Sequence, residues 1–211
     1  YPLHVEAVCW ITGRSDLLAG LFGILSLYTF VRSRDLSAKH YHSLLSLLFL
    51  LLALLSKPVS VMLPYVCALY VWLEEPSAIR TKLRRLPFAH LVLGTGYFMI
   101  YLSYYRSVHH LQAPHEFWQV PLAWGKYIQN TFLPFFLRAD FAWAPTSFWE
   151  SSLVVLTLSL LLVLVWLWRS QATLFAALSC ALLFLPTANL IPSLHAYAER
   201  YFYLPSWGLS F

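Results

Sequence analysis

Ser151-Ser152-Leu153-Val154-Val155-Leu156-Thr157-Leu158-Ser159-Leu160-Leu161-Leu162-Val163-Leu164-Val165-Trp166-Leu167-Trp168 contains no Asp, Glu, Lys or Arg. The run from Leu86 to Tyr105 has none either, and the run from Ser170 to Ala198 is longer still. A bilayer core takes about 20 mostly apolar residues per helix. Repeated runs of this length predict an all-α, polytopic transmembrane domain, and any chemistry is confined to the polar loops or to the spaces between helices.

Composition agrees with that reading. Hydrophobic residues make up 60% of the 211-residue chain and charged residues 11%, against roughly 25% charged in a soluble domain. Mean hydropathy is +0.65. An aromatic content of 18% suits Trp and Tyr at two membrane interfaces. The net charge of +5 is spread through loops between spans, where it orients the chain, so no nucleic-acid partner is expected. Cys9, Cys67 and Cys180 show no C-x-x-C spacing, which argues against a disulfide framework or a zinc site. The opening Tyr1-Pro2-Leu3-His4, and an end at Phe211 just as another apolar run begins, read as those of an internal fragment.

Spans are expected at about 16–31, 42–56, 59–73, 86–105, 151–168 and 173–185, with an external loop over about 106–150. The stretch His40 to Leu73 is apolar but interrupted at Ser56-Lys57-Pro58. As one helix it would be about 50 Å long, too long for one bilayer, and Pro58 disfavours helix at Lys57. Division at 56–60 also puts Arg32, Arg34 and Lys39 on the same side as Arg80, Lys82, Arg84 and Arg85, as the positive-inside rule asks. Pro121 to Leu137 either crosses or lies in the interface; the non-crossing reading is preferred. It leaves Glu6, Asp16, Glu116, Asp140, Glu150 and Glu199 external.

Several polar groups stand out. His4, Glu6, Arg14 and Asp16 flank the first span, either facing headgroups along an interfacial helix or forming the floor of an external site. Lys57 stands alone between two apolar runs. It either snorkels to the surface or binds an anion such as a lipid phosphate. Arg138 and Asp140 form a local ion pair or hold a phosphate or sugar hydroxyl. Glu199 and Arg200 sit among Tyr201, Tyr203 and Trp207, and an interfacial anchor would explain the aromatics but not the carboxylate. His109, His110, His115 and Glu116 match no helical metal spacing, and Pro114 argues for a loop; no metal is expected.

Four blocks in order carry a resemblance. They are Pro2-Leu3-His4-Val5-Glu6-Ala7-Val8 through Gly13-Arg14-Ser15-Asp16-Leu17-Leu18; Leu55-Ser56-Lys57-Pro58; Pro186-Thr187-Ala188-Asn189-Leu190-Ile191-Pro192; and Glu199-Arg200-Tyr201-Phe202-Tyr203-Leu204-Pro205-Ser206. The segment from Lys126 to Asp140 matches more weakly. Together they resemble the membrane O-mannosyltransferases that modify cadherins and their bacterial relatives carrying tetratricopeptide repeats. The resemblance implies a GT-C fold, a sugar donor carried on polyprenyl phosphate, and inverting transfer to a protein or glycan acceptor on the external face. It also implies a bacterial inner membrane rather than endoplasmic reticulum. The family's acidic catalytic pair lies in the first external loop, upstream of Tyr1, so no catalytic residue is expected within the chain. His4, Arg14, Lys57, Arg138 and Arg200 are then candidates for substrate or phosphate binding, with Lys57 and one of Arg138 or Arg200 on the phosphate. Glu6, Asp16 and Glu199 are candidates to shape or orient the site. Two other readings are a non-catalytic membrane scaffold of a repeat protein, and a transporter. The transporter lacks a second broken helix pair to match the one at Ser56-Lys57-Pro58.

Overall fold

The structure, a computed structural model, describes residues 13–34, 39–74, 87–108, 127, 148–168, 170–187 and 203–206. All regular structure among them is helical. Six α-helices occur in chain order: α1 Arg14–Arg32, α2 Lys39–Ser56, α3 Leu63–Glu74, α4 Phe88–Val108, α5 Phe148–Leu167 and α6 Gln171–Phe184. Short 3-10 turns, Pro58–Met62 and Leu185–Thr187, lie before α3 and after α6. The chain divides into two compact units, the first Ser15–His110 and the second Leu111–Phe211 together with Tyr1–Arg14.

In the first unit the helices run alternately up and down. On α1 and α2, Phe22 stacks on Phe49 at 6.4 Å and Ser26 meets Ser46. At the far end Asp16 meets Lys57, so one residue number falls as the other rises. Phe30, near the end of α1, packs with Cys67 and Val71 of α3 and with Leu27 and Tyr70. The His90 ring, in the first turn of α4, meets the Phe30 ring edge-on at 5.3 Å. The end of α1, the end of α3 and the start of α4 therefore share one end of the unit, and Asp16 and Lys57 lie at the other.

The break between α2 and α3 follows from Pro58, which has no N–H to continue the α2 ladder and whose ring excludes the α conformation at the preceding residue. Lys57 accordingly is extended, with φ −155° and ψ 133°. Its own N–H still closes α2 onto Ala53 O at 3.0 Å, and its carbonyl accepts from Ser60 N–H at 3.1 Å to begin the 3-10 turn. At the end of α1, the Phe30 carbonyl accepts from both Ser33 N–H at 3.1 Å and Ser33 Oγ at 2.6 Å, which closes the last turn.

The faces of α1 are sorted in an unusual way. Buried are Asp16, Ala19, Gly20, Gly23, Ser26, Thr29 and Phe30, nearly all small or polar. Exposed are Leu18, Leu21, Ile24, Tyr28 and Val31. A helix on a water-soluble core shows the opposite arrangement. The small Ser26 lets α1 meet α2 directly, side chain to backbone, at Ser46, as in membrane helix packing. A similar close approach occurs on α4, where a Cβ added to Gly94 would stand 2.7 Å from Pro64 Cγ.

The second unit contains α5, α6 and Tyr127. Ser170 caps α6, its Oγ accepting from Thr173 N–H at 3.1 Å. Tyr127, buried, meets Phe184 edge-on at 5.0 Å. On α5, Val155, Leu156, Leu160, Leu162, Val163, Leu164, Trp166 and Leu167 are all exposed. At about 100° per residue they cover more than half of the helix circumference. By length and composition one described helix, α1, is long and apolar enough to cross a membrane; 40–56, 58–73, 154–167 and 171–184 form shorter apolar helices.

Candidate functional site

Two polar constellations sit among the apolar helices of the first unit. The outer one joins Asp16, in the first turn of α1, to Lys57, at the break between α2 and α3. The Lys57 Nζ donates to Asp16 Oδ1 in a salt bridge that closes the two helices against each other. Each partner is held there by its own backbone. Asp16 lies at the positive end of the α1 dipole, which favours a carboxylate. Lys57 is thrown out of helical geometry by Pro58, and its side chain leaves the apolar run at the turn.

The side chain of Asp16 is 6% exposed and that of Lys57 19%. Neither charge is fully solvated, and each helps to offset the burial of the other. Lys57 therefore does not stand alone, as its place between two apolar runs suggested, and Asp16 is buried in the unit instead of facing headgroups. The contact spans 41 residues of chain, a separation at which no local spacing advertises a pair. Beneath the turn, Ser60 is fully buried, and its hydroxyl has no hydrogen-bond partner among the described residues.

The inner constellation was not visible as a site in the sequence. Ser26 Oγ donates to Ser46 O at 3.0 Å, and Ser46 Oγ donates to Ser26 O at 2.8 Å, a reciprocal clasp between α1 and α2. Ser46 Oγ also lies 2.8 Å from His90 Nε2. The direction of this bond follows the tautomer of His90. Three helices are thus tied by one buried serine. The Arg34 guanidinium lies 4.6 Å above the Phe30 ring, on the same end of the unit. The available signals were the small-residue stripe carrying Ser26 and a histidine, His90, within a charge-free run, where an ionisable group needs a reason.

The remaining candidates fall differently. Arg14 is the exposed first residue of α1. His4, Glu6, Arg138, Glu199 and Arg200 lie outside the described residues, as do His109, His110, His115 and Glu116 and all of the 121–137 segment except Tyr127. Among the described residues no three His, Cys, Asp or Glu side chains gather in a way that would hold a metal ion.

Chemically, the outer pair offers one ammonium, oriented by one carboxylate, at the partly open end of an apolar helix unit. No family model, no curated protein and no solved structure matches this chain.

Proposed function

We propose that this chain is the membrane-embedded part of a GT-C glycosyltransferase that moves a sugar from a polyprenyl-phosphate carrier to an acceptor hydroxyl at the external face. The observation that carries the reading is the Asp16–Lys57 salt bridge. It unites two of the sequence blocks behind the resemblance, Gly13-Arg14-Ser15-Asp16 and Leu55-Ser56-Lys57-Pro58, at one end of a helix whose large apolar residues face outward. Large exposed apolar faces on α1, α4 and α5 suit a lipid solvent, which supports a polytopic arrangement; the bacterial inner membrane as its setting comes from the resemblance alone.

In this reading a carboxylate supplied from upstream takes the proton of the acceptor hydroxyl. The hydroxyl oxygen bonds to the anomeric carbon, and the bond from that carbon to the phosphate oxygen breaks with inversion. The phosphate leaves with the electron pair. Lys57 is the point charge that meets the departing phosphate, and Asp16 fixes the ammonium. Arg138 or Arg200 on the phosphate, and His4, Glu6, Arg14 and Glu199 as supporting groups, rest on the resemblance alone. General-base assistance contributes about 10²–10⁴-fold, and loss of one electrostatic donor costs about 10²–10³-fold.

The test is lipid-dependent transfer in membranes carrying the full-length protein, with polyprenyl-phosphate sugar as donor. Lys57→Ala is expected to lower the rate by about 10²-fold. Unchanged transfer by that variant removes Lys57 from the site.

A second reading, a non-catalytic membrane scaffold, is favoured by one feature: the two charges neutralise each other and already account for their own burial. It predicts no transfer activity from the wild-type protein.

A further inference from the structure

Arg32 ends α1 and Arg34 follows in the next turn, and their surroundings differ. Arg34 turns inward, its guanidinium over the buried Phe30. Arg32 is exposed and lies on the same face as Leu18, Leu21, Ile24, Tyr28 and Val31, the outward apolar stripe of α1. Its Nε donates to Tyr28 Oη at 3.2 Å, and its Cζ lies 5.5 Å from the centre of the Tyr28 ring. The stripe thus ends in a phenol and a planar cation held against one another.

We infer that Tyr28 and Arg32 form a binding site for the headgroup phosphate of an anionic phospholipid in the leaflet at the Arg32 end of α1. The inference rests on the membrane reading given above. Acyl chains lie along Leu18, Leu21 and Ile24, the Tyr28 ring sits at the depth where tyrosine is enriched in membrane proteins, and the guanidinium beyond it meets the phosphate. A guanidinium suits this task because its donors form a fixed fork that matches phosphate oxygens. The bond to Tyr28 fixes the plane of that fork, so less side-chain freedom is lost on binding. Charge complementarity selects the occupant, since the leaflet on the basic side carries anionic lipid and each Lys or Arg near it is worth about 1 kcal/mol. An arginine at this position also offsets the negative end of the α1 dipole, but that effect is independent of lipid headgroup.

The experiment uses the purified full chain in neutral detergent, titrated separately with phosphatidylglycerol and phosphatidylcholine, with bound lipid read by native mass spectrometry. Phosphatidylglycerol is expected to bind about fivefold more tightly, the equivalent of about 1 kcal/mol. Arg32→Gln removes the difference, and Tyr28→Phe reduces it about twofold. Arg32→Lys keeps the charge without the fork and retains part of the preference. Equal binding of the two lipids, or a preference that survives Arg32→Gln, overturns the inference. Extraction of membranes with alkaline carbonate separates the two levels. Release of the wild-type protein overturns the membrane reading itself, whereas retention without headgroup preference overturns this site alone.

Discussion

Asp16 and Lys57 are salt-bridged across 41 residues, at the ends of α1 and α2 that face away from the basic turns. Breaking a buried pair by removing one partner leaves the other charge uncompensated and costs about 3 kcal/mol or more, whereas replacing both with apolar residues costs much less. Lys57→Met and Asp16→Leu are each expected to lower stability by about 3 kcal/mol in detergent unfolding titrations. The double variant returns most of that loss. If the phosphate reading holds, it recovers stability without recovering transfer. Additive losses in the double variant contradict the pairing.

Gly94 and Gly96 lie two residues apart on α4 with opposite surroundings. A Cβ at Gly94 meets the rigid Pro64 ring at 2.7 Å, and one at Gly96 meets nothing within 4 Å. Gly94→Ala is expected to destabilise by about 1–3 kcal/mol. Gly96→Ala is expected to be neutral or to stabilise by up to about 1 kcal/mol through helix propensity. Thermal melting of the two variants side by side checks the packing of α3 on α4.

Ser46 is shared by three helices through Ser26 and His90. Ser46→Ala removes the hydroxyl partner of His90 Nε2 inside the unit, while Ser26 O keeps the Thr29 hydroxyl. A loss of about 1–3 kcal/mol is expected, the cost of leaving the imidazole nitrogen unsatisfied. Ser46→Ala combined with His90→Leu should cost less than the sum of the single losses. A double-mutant cycle measures that coupling.

Ser170 caps α6 in the second unit. Ser170→Ala is expected to cost about 1 kcal/mol and Ser170→Asp to be nearly neutral. Helicity by circular dichroism and unfolding midpoint are the readouts.

What was legible in the sequence is what local chemistry controls. The division of 39–74 at Lys57 follows from Pro58 alone, and helix limits follow from the charge-poor runs. α1 begins at Arg14 and α4 continues to Val108, a turn or less from the expected limits of 16 and 105. What was not legible depends on contacts between helices. Lys57 looked solitary because its partner is on another helix, and Ser26, Ser46 and His90 looked like ordinary members of apolar runs. The sorting of α1, small residues inward and Leu18, Leu21, Ile24 and Tyr28 outward, also needed the neighbouring helices to reveal which face was which. His4, Glu6, Arg138, Glu199 and Arg200 lie outside the described residues, so the candidate site rests on Asp16 and Lys57.

The most direct measurement of the central claim uses the two exposed arginines that bracket α1. Arg14 and Arg32 are 18 steps apart on one helix, about 27 Å along its axis, close to the thickness of a bilayer core. Arg14→Cys and Arg32→Cys are made one at a time with Cys9, Cys67 and Cys180 replaced by serine. Intact cells are then labelled with a membrane-impermeant maleimide. The account predicts labelling of Arg14→Cys from outside and of Arg32→Cys only after permeabilisation. Labelling of both positions from the same side contradicts a membrane-crossing α1, and with it the external placement of Asp16 and Lys57.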